Sequence, residues 1–217
     1  SGSALQLDGA QTSSAEHVEI PDNAALDMTG AFTAEAWINW DGSSGFRVFM
    51  SKPAAPSQSR FAFVIHDGNI RSNVITTGGP RVVRNDDETF PSNQWTHVAT
   101  TYDGTVQTLF VNGIPVETVD HGTEEFLSNS DQPLFIGREF PPGNFDDRTF
   151  PGSIDQVRIW DDDLTREQIH ARMHQTISPG SSKDANLKAV YRFDGSGSTN
   201  AYDFFGTNPG TLKNSPS

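Results

Sequence analysis

Polar and apolar residues alternate along most of this chain, and Gly, Asp, Asn and Pro interrupt the alternation at short intervals. Successive side chains of an extended strand point to opposite faces, so a period of two predicts half-buried β-strands. The runs fall at Leu5–Leu7, His17–Ile20, Phe32–Trp40, Arg47–Ser51, Phe61–His66, Ile70–Thr76, Arg81–Arg84, Trp95–Tyr102, Gln107–Val111, Ile114–Val119, Leu134–Gly137, Ile154–Trp160 and Ala189–Phe193. The turn dipeptides Asp8-Gly9, Asp67-Gly68, Gly78-Gly79, Asp103-Gly104 and Asn112-Gly113 punctuate them, and the last, between Leu109–Val111 and Ile114–Val116, is the strongest hairpin signal. Strands at this spacing without intervening helices predict an all-β, antiparallel two-sheet sandwich.

One helix interrupts the pattern. Thr165 is placed to cap it, with Gln168 three residues on completing a capping box. Leu164, Ile169 and Met173 would dock it on the sandwich, and it ends before Ser178-Pro179-Gly180. The polar stretch 178–186 reads as a connector. Beyond it lie one more strand and a tail rich in Gly, Ser, Thr and Asn that carries Phe204 and Phe205. Some 30 residues without cysteine are too few to build a separate core, so residues 178–217 are expected to wrap the same domain, giving one domain over 1–217.

Composition narrows the function. Fifteen Lys and Arg against 28 Asp and Glu leave a net charge of −13, which disfavours nucleic acid and anionic membrane as partners. No apolar stretch is long enough to span a bilayer, so no membrane insertion is expected. There is no cysteine, hence no disulfide or thiolate metal site. Ser1-Gly2-Ser3 has neither a basic nor an apolar leader region, so a signal sequence is expected to have been removed or to lie elsewhere in a longer parent.

Four segments carry a resemblance. They are Leu5-Gln6-Leu7-Asp8-Gly9 with His17-Val18-Glu19-Ile20-Pro21; Phe32-Thr33-Ala34-Glu35-Ala36-Trp37-Ile38; Trp95 through Gly104 with Leu109-Phe110-Val111-Asn112-Gly113; and Gly152 through Trp160 with Leu164-Thr165. In this order they resemble the laminin G-like, concanavalin A-like jelly-roll family, to which the pentraxins also belong. The resemblance implies a jelly-roll sandwich. It does not name a ligand, because the fold hosts lectins, protein-binding modules and glycanases alike.

Within the resembling folds, Asp8 and Asp155 stand where a structural Ca2+ is often held, with carbonyls from the Thr29-Gly30 turn completing a set of hard oxygen ligands. The plainer reading is that Asp8 caps its own turn and Asp155 bonds nearby backbone N–H groups. The loop from Arg138 to Arg148 corresponds to one that holds ligand-binding calcium in pentraxins. Glu139 is the matching carboxylate there, with Asn144, Asp146 and Asp147 as companions, but the partner loop near Pro56–Ser59 lacks its acidic pair. Alternatively, this is a solvated acidic loop with an Arg138 ion pair. Alternation puts Phe32, Ala34, Ala36 and Ile38 in the core and Glu35, Trp37 and Asn39 on the other face. Trp37 is then either a sugar-stacking platform or is covered by a second layer of chain. Arg81, Arg84, Asp86 and Asp87 on the next rim are further sugar-binding candidates, while Trp95 and Trp160 are assigned to the core. His170 and His174 share a helix face but lack a third ligand, and are expected at the surface.

Glycanases of this fold crowd carboxylates on one strand as Glu-x-Asp-x-x-Glu or Glu-x-Asp-x-Glu, and no such run occurs here. The expectation is a non-catalytic, Ca2+-stabilised, carbohydrate-binding adhesion or recognition module. It would belong to a larger secreted or cell-surface protein and take a glycan or other cell-surface ligand. A protein-binding or spacer module is the first alternative. The second is a glycanase or polysaccharide lyase whose active site is spread over several strands, the lyase form drawing on residues such as Arg84, His97 and Tyr102.

Overall fold

The computed structural model describes residues 3–12, 14–55, 58–139, 148–177, 185–195, 199–205, 208–214 and 216. The strands, in chain order, are β1 (Leu5–Asp8), β2 (His17–Ile20), β3 (Phe32–Trp40), β4 (Phe46–Ala55), β5 (Gln58–His66), β6 (Asn69–Thr76), β7 (Gly79–Arg84) and β8 (Thr96–Tyr102). They continue with β9 (Val106–Val111), β10 (Ile114–Asp120), β11 (Leu134–Ile136) and β12 (Pro151–Trp160). After helix α1 (Arg166–Arg172) come β13 (Leu187–Tyr191), β14 (Asn200–Ala201) and β15 (Gly210–Lys213).

The strands form two antiparallel sheets. One has seven strands in the order β1-β12-β3-β8-β9-β10, with β13 pairing the same edge of β12 as β1 but nearer its C-terminal end. The other has eight, ordered β14-β15-β2-β11-β4-β5-β6-β7. Between them lies the main core. Phe32, Ala34, Ala36 and Ile38 of β3 face Phe61, Phe63 and Ile65 of β5, and the Phe32 and Phe61 rings meet edge to face at 5.6 Å. Burying a Phe or Ile side chain contributes about 1.5–3 kcal/mol, so this alternation is what fixes each strand's facing. β6 shows it well: Ile70, Ser72, Val74 and Thr76 are buried, while Asn69, Arg71, Asn73 and Ile75 are only half-buried.

Turn chemistry sets the registers. Asp67-Gly68 and Asn112-Gly113 both hold positive φ at their two residues, 49° and 85° in the first and 49° and 72° in the second. This is the conformation a two-residue hairpin needs to match the strand twist. Thr165 caps α1 through the reciprocal bonds with Gln168. The buried Lys52 ammonium ties β4 to the segment after β2 through Asp22 at 2.6 Å and Asp27 at 3.3 Å.

Two sequence expectations need correcting. Trp95 is 44% exposed instead of lying in the core. It precedes β8 and shares the parity of His97, which points away from the inter-sheet space, so nothing in the main core can cover it. The tail also contributes more than one edge strand: β13 extends the seven-stranded sheet, and β14 and β15 extend the eight-stranded one beside β2. Of the connector, residues 178–184 lie outside the described residues.

Gly152 sits at φ 132°, and a Cβ there would run into the carbonyl oxygen of Asn39 on the paired strand. Gly152→Ala is therefore expected to cost on the order of 1–3 kcal/mol in urea unfolding; an unchanged midpoint would show that the β3–β12 pair tolerates the added methyl.

Candidate functional site

The outer face of the seven-stranded sheet carries polar residues where solvent would be expected, yet most of them are buried. Glu35 on β3, His97 on β8 and Arg158 on β12 are each at most 1% exposed, because α1 and the residues after it lie across them. Glu35 Oε1 accepts hydrogen bonds from Arg158 and from the Trp160 indole, both at 3.2 Å, and its Oε2 lies 3.2 Å from His97 Nε2. Burial alone would raise the Glu35 carboxyl, but the neighbouring His97, Arg158 and Trp160 outweigh it and hold the group below its usual range. Arg158 also donates to the carbonyls of Arg172 and Gln175, at 3.0 and 2.7 Å. One guanidinium thus fastens the end of the helix to the sheet.

Beside this anchor the helix end leaves a cleft of about 290 Å3. Trp37, Trp95, Met173 and His174 supply its apolar and aromatic surface, and Asp155, Gln156, Arg158 and Gln175 its polar groups. Trp37 donates its indole N–H to the Met173 carbonyl at 2.9 Å, and its ring lies 5.3 Å from that of His174. The indole is therefore held edge-on by the second layer while part of it lines the cleft. A bulge in β12 shapes the floor. Asp155 pairs with Trp37 and Arg158 with Glu35, so β12 uses one residue more than β3 over this stretch, and Gln156 absorbs it at φ 50°. Non-glycine residues rarely adopt that conformation, and such strain concentrates at functional sites.

Two groups at the cleft are under-used. Asp155 accepts one hydrogen bond, from the Gln156 backbone N–H at 2.7 Å, and makes no ion pair among the described residues. Burial, reinforced by the Asp194 charge, pushes its carboxyl up to about 6. The Nε–H of Arg158 is buried without a partner. Unsatisfied buried polar atoms are uncommon in native folds; the Asp155 carboxylate borders the aromatic-walled cleft, while the Arg158 Nε–H lies sealed behind it.

The other residues singled out from the sequence are dispersed. Asp8 pairs with Pro151 at one end of the β1–β12 ladder, four residues along β12 from Asp155, or about 13 Å at the usual rise per residue. Its Oδ1 accepts from the Ala10 N–H, closing the Asp8-Gly9 turn. Gly30 lines a different cleft, alongside Trp160 and the Lys188–Asp161 ion pair. Asp8, Gly30 and Asp155 therefore do not fit a shared Ca2+. Glu139 is 6% exposed and engaged by Arg148 at 2.7 Å and Ser59 at 2.6 Å, and Arg138 is 1% exposed. Asn144, Asp146 and Asp147 lie outside the described residues. Among the described residues no three His, Asp or Glu side chains converge as an ion site. Arg81 pairs with Glu125 on the far rim, and Arg84 with Asp86. Asp87 is exposed, its N–H bonded to Asn85. The lyase arrangement is not assembled either: Tyr102 faces the core, His97 the opposite face of the same strand, and Arg84 is on the other sheet.

Sequence reasoning missed Arg158, Trp95 and His174. A signal for the first was present, since a lone Arg in Val157-Arg158-Ile159-Trp160 and a lone Glu in Ala34-Glu35-Ala36 mark buried charges that need each other.

A family model for the concanavalin A-like lectin/glucanases superfamily matches residues 12–170. The chain belongs to this superfamily. Solved structures share the jelly roll at low identity. A protein of Bacteroides ovatus described as carbohydrate binding is 23% identical over 99% of this chain, with a TM-score of 0.76, and this chain spans only 58% of its length. Domain 4 of AbnA, a GH43 extracellular arabinanase of Geobacillus stearothermophilus solved with arabinotriose, is 19% identical over 77% of this chain and 75% of its own, with a TM-score of 0.59. The CBM40 of the Ruminococcus gnavus IT-sialidase, bound to alpha2,3 sialyllactose, is 17% identical over 68% and 84%, with a TM-score of 0.57. No curated protein sequence matches the chain. As a superfamily member the chain shares its sandwich with lectins and glucanases.

Removing one partner of the Glu35–Arg158 pair strands the other charge in a sealed site, so Arg158→Met or Glu35→Gln is expected to cost about 3–5 kcal/mol at neutral pH. Because the folded Glu35 carboxyl titrates below its usual 4.5, its contribution is complete above that pH and fades as pH falls through the lower folded value. Urea unfolding across pH 2–7 should show the native and Glu35→Gln curves converging in acid. Asp155 has the opposite sign. Raised from 3.8 to about 6, it weakens folding progressively as pH climbs through that window. Asp155→Asn should therefore stabilise the protein at pH 7 by on the order of 1–2 kcal/mol, allowing for solvent screening of a partly exposed group, and by nothing near pH 3.5.

Proposed function

We propose that this chain is a non-catalytic carbohydrate-binding module that holds a sugar in the cleft between the β12 bulge and the end of α1. The observation that carries the reading is the exposed Trp95 standing beside an unpaired, half-buried carboxylate in one cleft. A sugar ring has an apolar C–H face that stacks on an indole, and a rim of hydroxyls that donate to a carboxylate and accept from N–H groups. The cleft offers both kinds of partner within a volume suited to one or two sugar units. Superfamily membership supports the reading, as do the bound arabinotriose and sialyllactose of two structural neighbours.

The placement of the carboxylates among the described residues supports a non-catalytic reading. A retaining glycosidase places two of them about 5 Å apart around the substrate. Asp155 lines the cleft, whereas Glu35 is sealed beneath it and held charged by cations, where no sugar reaches it. In this reading the module works outside the cell, attached to a larger protein that it brings to a glycan. Among the described residues no helix is long and apolar enough to cross a membrane.

Screening against an array of neutral plant, microbial and animal glycans should return a family of related sugars, with binding quenching or enhancing Trp fluorescence. Trp95→Ala removes only an exposed ring, so it should leave the melting temperature unchanged while weakening the best glycan by at least about tenfold. Retention of no glycan by the native protein would overturn the module reading; undiminished binding by Trp95→Ala would move the site off this cleft.

A further inference from the structure

The opposite face of the sandwich carries a different chemistry. On the outward side of the eight-stranded sheet, Val48, Ala62 and Val64 are buried beneath the Phe46 ring. Phe46 stacks on His66 at 3.9 Å, and two guanidinium groups lie over it, those of Arg71 at 4.4 Å and Arg148 at 4.8 Å. Arg84 joins them, because the β6–β7 register puts it directly opposite Arg71. In a protein with a net charge of −13 this is a dense concentration of cations.

Their pairing is uneven. Arg84 is held by Asp86 at 2.6 Å and Arg148 by Glu139 at 2.7 Å. Arg71 has no carboxylate within ion-pair distance among the described residues, and its Nε–H is buried without a hydrogen-bond partner. Like charges facing each other across a strand pair are destabilising, and burial adds to the cost. The guanidinium of Arg71 feels both, since burial and then the Arg84 charge lower its proton affinity. The same positive surroundings, after burial, depress His66. Ion pairs satisfy Arg84 and Arg148, and Phe46 shields one face of Arg71; Glu139 and Asp67 offset part of its charge from farther off, but no carboxylate among the described residues is within ion-pair distance of it.

We infer that Arg71, flanked by Arg84 and Arg148 over Phe46, forms a second binding site for the anionic group of an acidic saccharide, a carboxylate or a sulfate ester. A planar oxyanion accepts two parallel N–H bonds from a guanidinium, and the half-buried Arg71 donates no hydrogen bond among the described residues, so its terminal Nη groups are uncommitted. The neighbouring arginines raise the local potential, while their own carboxylates keep them in place. That the anion is carried on a sugar rests on the module reading above; the anion site itself rests on the arginines alone. The two sites lie on opposite faces of the sandwich, so each is tested without disturbing the other.

The test uses calorimetry at about 0.15 M salt, where only close charge contacts survive screening. The probes are a galacturonic acid trisaccharide, a sulfated galactose trisaccharide and the neutral galactose trisaccharide. One or both acidic probes should bind, and the arm that binds identifies the anion as carboxylate or sulfate. Arg71→Gln should weaken that probe by about 10- to 100-fold, and Arg71→Lys, which keeps the charge but loses the planar fork, by less. Because Arg71→Gln relieves repulsion, its melting temperature should equal or exceed the native one, a readout that a purely structural arginine would move downward. If the acidic probes bind no better than the neutral one, or if both Arg71 variants keep full affinity, the inference fails. If acidic probes fail while neutral glycans still bind in the Trp95 cleft, only the anion site is lost. If neither kind binds, the module reading falls with it.

Discussion

A single buried ion pair organises the outer face of the seven-stranded sheet. Glu35 and Arg158 face each other across β3 and β12 under a layer of helix, and each would be a costly lone charge there without the other. The pair does more than neutralise itself. Arg158 reaches past the carboxylate to the carbonyls at the end of α1, so the helix is positioned by electrostatics as well as by Leu164 and Ile169 packing on the sheet. Arg158 thus holds the carbonyls at and just past the helix end, and the cleft is the space left beyond that point. The under-used carboxylate of the cleft, Asp155, borders this anchor, which links rigidity of the cleft to stability of the fold.

The architecture was legible because it depends on local, repetitive signals. Alternation in Phe32–Trp40 assigned the core face of β3 correctly, Asp67-Gly68 and Asn112-Gly113 specified hairpins, and Thr165 with Gln168 marked the helix start. Each of these is decided by a few adjacent residues. The sites are decided by register, which sequence patterns fix poorly. Arg71 and Arg84 meet only because β6 and β7 pair in this register, and Arg148 arrives from a loop far along the chain. Trp37 and Asp155, singled out from the sequence, line the same cleft because β3 pairs with β12; Asp8, judged by motif alone, lies at the other end of the ladder. Trp95 was misplaced because large aromatics usually serve cores, and only its parity with His97 signalled otherwise.

The two outer faces divide the chemistry of the surface. On the seven-stranded sheet the open polar group is an acid beside indoles, suited to hydroxyls; on the eight-stranded sheet it is a guanidinium among guanidiniums, suited to oxyanions. A sandwich presents two such faces by construction, each built from the outward half of an alternating code whose inward half is consumed by the core. The inward positions are constrained by packing, so differences in recognition must accumulate on the outward ones.

The bulge in β12 has a consequence for how this strand tolerates change. Ile154 and Val157 both face the core although three positions separate them, because the extra residue at Gln156 shifts the inside–outside reading frame of the strand. Downstream of that point Arg158, Ile159 and Trp160 face as they do only by virtue of the shift. Removing one residue here would abolish the bulge and restore plain alternation, leaving Arg158 outward beneath the helix and Ile159 in the core. A one-residue shortening at Gln156 is thus absorbed locally, without changing which side chains of β12 meet the core.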